Sequence, residues 1–227
     1  MDNYTQVIKR IVELRAQQGR TQEELASIIG LSRQRWILVE KGERPLSVGE
    51  LEKIADFFNV PVASFFTELR NNEKFEQMYF RILRRIDNNV PKTKLAKLLY
   101  LADFRNYYDT LESMSGAQYI RREYGPVADI FFELTENLFD QGKIDIEPYG
   151  DALMIRSLST NTESNLLSDD EKMRIDDICK LWKDKRTHEI VNFTHEQKPW
   201  SACKDGEYIP YSLIIQEDPD HVYQPVV

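Results

Sequence analysis

A chain of 227 residues, 41% of them hydrophobic and 11% aromatic, has apolar material for two cores of ordinary domain size and reads as a soluble globular protein. Its formal net charge of −8 is unevenly placed: residues 1–70 hold ten Lys or Arg against ten Asp or Glu, so the whole acidic surplus lies in residues 71–227. That balance excludes an avid non-specific nucleic-acid binder, and Cys179 and Cys203, far apart and without a CxxC pair, suggest neither a disulfide framework nor a structural zinc site. No apolar run approaches the roughly 20 residues of a membrane helix, and the N-terminus lacks the charged-then-apolar pattern of a secretory signal. A cytoplasmic protein with no membrane association is expected.

In chain order, Val7, Ile8, Ile11 and Leu14 make the apolar stripe of a first helix. Residues 21–42, TQEELASIIGLSRQRWILVEKG, then read as two short amphipathic helices joined by a tight turn. Thr21 with Glu24 is a capping box, Leu25, Ala26 and Ile29 form the buried stripe, and Gly30 ends the helix in a left-handed conformation. Leu31 plugs the angle, and Ser32 caps a second helix running to about Lys41, with Trp36, Val39 and Glu40 inward. Its outer face carries Arg33, Gln34 and Arg35, long donors of the kind that read base edges and hold phosphates in a major groove. Leu51, Ile54, Ala55, Phe57 and Phe58 make a following helix, closed by Val60, Pro61, Phe65 and Phe66.

Residues 1 to about 70 resemble the Xre family of phage-repressor-like domains in the motifs TQEELA, GLSRQ, EKGERPLS and FFNVPVASFF. The resemblance implies a five-helix, lambda-repressor-like DNA-binding fold. Position by position, it implies Gln22 and Gln34 as groove-facing amides, Ser32 and Arg33 as first contacts of the recognition helix, and Arg35, Lys41 and Arg44 as phosphate neighbours. Trp36 and Ile37 depart from the small or polar residues usual there; with one in the core and the other exposed, Ile37 could meet a thymine methyl or a partner. A domain of zero net charge makes few phosphate contacts alone, so a homodimer on two half-sites of operator DNA is expected. The alternative is a helical module that has lost DNA binding and serves as a protein contact.

The second half is mostly helical after a boundary near residues 69–74. Phe75, Met78, Tyr79, Ile82, Leu83 and Ile86 predict a helix over 73–88, and Leu95, Leu98, Leu99, Leu101, Ala102 and Phe104 predict a central one over 93–108. QYIRRE at 118–123 alternates as a strand, and Tyr124-Gly125-Pro126 turns the chain into a third helix over 127–141, ended by Gly142. KIDIEPYGDALMIRS reads as a β-hairpin with its turn at 148–151, residues 157–168 as a polar mobile loop, and Ser168 with its acids as the start of a helix to about 184. That last helix holds Cys179 as a buried free thiol beside Ile175, Ile178 and Trp182. The tail from residue 216 is expected to be extended or disordered.

YLADFRNYYDT, the YIRREYGPV turn and THEIVNFTHEQKPW resemble a Panacea (SocA-like) antitoxin domain over about residues 75–215, best in the GPV turn and in the spacing of His195, Glu196 and Trp200. The resemblance implies a second domain, 74–215, that binds a partner toxin, with 216–227 as tail. The fold class is thus mainly α with a small β component: the helix-turn-helix domain, then a helical domain with a strand and a β-hairpin. Tyr107, Arg121 and Arg122 do not fit a buried face and are candidates for the toxin surface. Trp200 reads as a core anchor.

His188, His195 and Cys203 could be drawn as metal ligands, or Cys203 and His195 as a catalytic pair, but their spacing matches no metal motif and no phosphate loop or nucleophile elbow accompanies them. No cofactor, metal or enzymatic activity is expected. Three functions compete: an antitoxin that neutralises a cognate toxin and represses its own operon, a one-component regulator sensing a ligand, and a protease adaptor.

Overall fold

The computed structural model describes residues 3–65, 72–159 and 166–223. Phe66, the first half of the expected boundary, the middle of the polar loop and the last four residues lie outside them. The chain divides into two compact units, Met1–Leu69 and Arg70–Val227.

In the first unit, α1 (Asn3–Gln17), α2 (Gln22–Ile28), α3 (Arg33–Glu40) and α4 (Val48–Phe58) precede a 3₁₀ turn, Val62–Phe65, which occupies the place of the fifth helix. Local chemistry starts each helix. The Thr21 N–H donates to Glu24 at 2.7 Å while the Glu24 N–H donates to the Thr21 hydroxyl at 3.2 Å, and Ser32 accepts from the Arg35 N–H at 3.4 Å. A second capping box, Ser47 with Glu50, opens α4. Gly30, at φ +74°, makes the left-handed turn between α2 and α3. Trp36 and Val39 are fully buried, whereas Ile37 is half-buried.

One carboxylate ties three of these helices together. Glu40 accepts from Arg15 of α1 at 3.2 Å, Gln22 of α2 at 2.7 Å and the Trp36 indole N–H at 2.7 Å. Removing it leaves three donors in a half-buried site without their acceptor. Glu40→Ala is expected to destabilise the first unit by about 2–3 kcal/mol. Calorimetry of the full chain checks this: a lowered melting transition for the first unit is the expected outcome, and an unchanged one contradicts it.

The second unit is organised around α6 (Lys92–Thr110), in which every residue from 94 to 104 is buried. A helix buried all round is covered on every side, and here the cover is α5 (Asn72–Arg85), α8 (Asp169–Trp182), α9 (Thr187–Glu196) and the 3₁₀ segment Tyr211–Gln216. Two small antiparallel sheets flank it. In one, β1 (Val90–Pro91), β5 (Ala152–Ser157) and β4 (Ile144–Tyr149) lie in the order β1-β5-β4, with Val90 opposite Ile155. In the other, β3 (Val127–Ala128), β2 (Tyr119–Ile120) and β6 (Tyr208–Ile209) lie in the order β3-β2-β6, with Tyr119 between Ala128 and Ile209. The remaining helices are α7 (Phe131–Asp140), α10 (Lys198–Ser201) and α11 (Asp220–Tyr223).

Three expectations are corrected. The strand expected at 118–123 is two residues long, because Tyr119 and Ile120 alone find partners on both sides. Val127 and Ala128 do not start a helix; they pair with that strand, and α7 begins at Phe131. The tail is not extended over its described part: Val222 is buried, the Tyr223 hydroxyl donates to Asp109 at 2.6 Å, and its ring takes the Arg105 guanidinium at 5.0 Å.

Candidate functional site

Each unit presents one chemically distinctive surface. On the first, the Ser32 cap sets the start of α3, and the Arg33, Gln34 and Arg35 side chains that follow are exposed with no partner among the described residues. Lys41, past the end of the helix, is exposed in the same way. These are two guanidinium forks, an amide and an ammonium, a set suited to base edges and phosphate oxygens. Two other residues expected at the interface are otherwise engaged: the Gln22 amide donates to Glu40, and Arg44 braces the loop after α3 by donating to Glu50 at 2.7 Å and to the Pro45 carbonyl at 3.3 Å.

On the second unit, the two best marks of the sequence, the Gly-Pro turn and the His195–Trp200 spacing, meet around a buried cation. Lys97 of α6 is 1% exposed and donates to the Pro126 carbonyl at 2.9 Å, with no carboxylate in ion-pair reach among the described residues. Gly125, at φ +94°, closes over it; a Cβ there would sit 2.7 Å from Lys97 Cε and 3.0 Å from the Thr194 hydroxyl. Glycine is therefore required twice, for the backbone conformation and for the close approach. Beside the turn, the His195 ring stacks on Trp200 at 3.9 Å and 12°, the Arg121 guanidinium lies 4.0 Å over the Trp200 ring, and the indole N–H donates to the Arg122 carbonyl at 3.1 Å.

The electrostatics follow from burial. Desolvation, without a counter-charge, lowers the Lys97 ammonium to about 7. It also lowers the His195 imidazole, and the nearby Lys97 and Arg121 charges push in the same direction. Cys179 is a buried thiol that desolvation pushes up to about 12, as befits an inert core cysteine. No three His, Cys, Asp or Glu side chains among the described residues come together as metal ligands.

Of the candidate toxin contacts, Arg122 is exposed and its side chain has no partner among the described residues. Arg121 is part of the Trp200 stack, and Tyr107 is half-buried, its ring 5.3 Å from that of Tyr211. Trp200 is not a core anchor: it is half-buried, whereas Trp36 and Trp182 are enclosed. Lys97 was missed by sequence reasoning. Its signal is a lysine between alanine and leucine, in the run KTKLAKLLY, on the helix that the structure buries all round.

One unit thus exposes the donors at the start of α3, and the second, acidic unit carries an aromatic-cationic cluster. Residues 11–65 match the family model described as helix-turn-helix, and residues 95–201 match that of the antitoxin SocA-like Panacea domain. The chain is similar to the cryptic phage CTXphi transcriptional repressor RstR of Vibrio cholerae, 32% identical over 63 residues, 28% of this chain and 57% of the relative. It is similar as well to an uncharacterized HTH-type transcriptional regulator of Archaeoglobus fulgidus, 42% identical over 57 residues, 25% of this chain and 81% of the relative. No solved structure matches. The chain belongs to the helix-turn-helix regulators of the Xre type, with a Panacea domain of the antitoxin SocA-like family fused behind that module. No helix among the described residues is long and apolar enough to cross a membrane.

The depressed Lys97 gives a pH signature. An unfolded lysine keeps its proton up to about 10.4, so between pH 7 and that value the unfolded chain binds the extra proton and stability rises with pH. The penalty of the buried cation is full below pH 7 and relieved above it. Between pH 7 and 9 the wild type is expected to gain about 2–3 kcal/mol relative to Lys97→Met. Denaturant titrations of the two proteins at several pH values check this, and parallel profiles would contradict it.

Proposed function

We propose that this protein is an antitoxin that neutralises a cognate toxin by direct, stoichiometric binding through its second unit and represses its own operon through α3. It acts in the cytoplasm as a homodimer, because a neutral DNA-binding unit with four open donors needs two half-sites to hold an operator. The observation that carries the reading is the match of residues 95–201 to the antitoxin SocA-like Panacea domain, in the same chain as a helix-turn-helix module with its reading face exposed. Toxin occupancy then changes operator affinity by linkage between the two sites, and the operator changes toxin affinity by the same factor.

The test co-expresses the full chain with the protein encoded beside it and measures operator binding in parallel. The neighbouring protein alone should arrest growth and the wild-type chain should restore it. Arg33→Ala with Gln34→Ala should abolish sequence-specific operator binding and leave growth rescue intact. A harmless neighbour, or simultaneous loss of both activities in the double variant, would refute the proposal. Lys41→Ala should weaken DNA binding uniformly across sequences and reduce the salt slope by about 0.9, the value of one phosphate contact.

A further inference from the structure

Residues 71–227 carry 28 Asp or Glu against 20 Lys or Arg, yet Lys97, Arg121 and Arg122 gather near Trp200 with a single long ion pair, Arg121 to Asp205, among the described residues. The Nε atom of Arg121 and the Nε2 atom of His195 are buried with no hydrogen-bond partner among the described residues. The Lys97 ammonium has three donors and, among the described residues, one acceptor, the Pro126 carbonyl. Asp205 approaches Arg121 no closer than 3.8 Å and is largely exposed. Arg122 stands exposed at the rim without a partner among the described residues. Two cationic side chains and an imidazole around one half-exposed indole, each with unmet hydrogen-bonding capacity among the described residues, describe a surface suited to an incoming anion.

We propose that Arg121, His195 and Trp200, backed by Lys97 and rimmed by Arg122, form a docking spot for a single Asp or Glu side chain of the protein partner. This rests on the antitoxin reading and names the chemistry of its interface. A carboxylate is the anion that fits. Glu123, Glu196, Asp205 and Glu207 are exposed close along the chain and would repel the repeated phosphates of a nucleic acid, whereas one carboxylate set among basic neighbours is attracted by both the spot and its acidic surroundings. Trp and Arg in a partly desolvated setting are the residues on which binding energy concentrates. The carboxylate accepts from the Arg121 fork and supplies the counter-charge that the buried Lys97 lacks.

The experiment measures binding of the neighbouring-gene protein to the full chain and to variants with unchanged circular dichroism. Arg121→Glu should weaken binding at least tenfold, Arg121→Lys much less, and Arg122→Glu, a change on an exposed side chain, about threefold. An Asp→Lys or Glu→Lys change in the partner should restore binding to Arg121→Glu. If the wild type binds and both charge reversals bind equally well, the docking spot is wrong while the antitoxin reading stands.

If the neighbouring protein does not bind at all, the antitoxin reading fails and a peptide titration decides the spot. The fluorescence of Trp200, the half-exposed tryptophan beside the enclosed Trp36 and Trp182, is followed with acetyl-Lys-Glu-Lys-amide, acetyl-Lys-Gln-Lys-amide and inorganic phosphate. A response to the glutamate peptide that Arg121→Glu abolishes sustains the carboxylate spot. An equal response to the glutamine peptide, a stronger one to phosphate, or none to the glutamate peptide overturns it.

Discussion

The second unit depends on the burial of α6 on all sides. A helix enclosed in this way must have each of its polar side chains satisfied by the segments around it, and those satisfactions determine where the surrounding loops run. Lys94 donates to the carbonyls of Lys183 and Lys185 at 3.0 and 2.5 Å and so holds the end of α8. Asp103 accepts from the N–H groups of Met114 and Ser115, the Ser115 hydroxyl and the Tyr119 hydroxyl, and so places β2. Asn106 donates to the Glu112 carbonyl, closing the turn after the helix. Lys97 holds Pro126 and with it the Gly-Pro turn. Asp103 and Asn106 are bonded through their polar atoms and Lys94 has two acceptors for its three donors; Lys97, with one acceptor among the described residues, and the Tyr100 hydroxyl, buried with no partner among them, are the least satisfied, and Lys97 lies next to the Trp200 cluster.

The first unit solves a different problem. It must keep polar donors on its surface free while holding short helices in register, and it does so by meeting its internal needs with carboxylates. Glu40 takes the donors of Arg15, Gln22 and Trp36, and Glu50 takes Arg44. What remains open is the run Arg33–Arg35 and Lys41. The same residues explain why only part of the expected DNA-binding set is available: Gln22 and Arg44 are long polar side chains that happen to face carboxylates of their own unit.

Features set by neighbouring residues were legible in the sequence. The capping box at Thr21, the helix start at Ser168, the glycine stops at Gly30 and Gly142, and the hairpin after Lys143 each depend on side-chain chemistry within a few residues. Features set by distant partners were not. Val127 and Ala128 carry no local signal that distinguishes a strand from a helix start, and their state depends on Tyr119 and Ile120. The tail has a polar composition, but Tyr223 is held by Arg105 and Asp109 of α6. For the candidate site, the exposed position of Arg33 and Gln34 was readable because a capped helix with an apolar inner face is a local pattern. The Arg121–Trp200–His195 stack over Lys97 was not, since it joins four stretches of chain that only the folded unit brings together.

The proposed function divides two tasks between two units: DNA reading by α3 and capture of an acidic side chain of a protein by the surface around Trp200. Hydrogen exchange of the full chain, with and without the protein encoded beside it, tests that division most directly. Slowed exchange is predicted in residues 119–126 and 187–203, with any change in residues 33–44 smaller. Protection confined to residues 22–44, or spread over the first unit with none near Trp200, would contradict it.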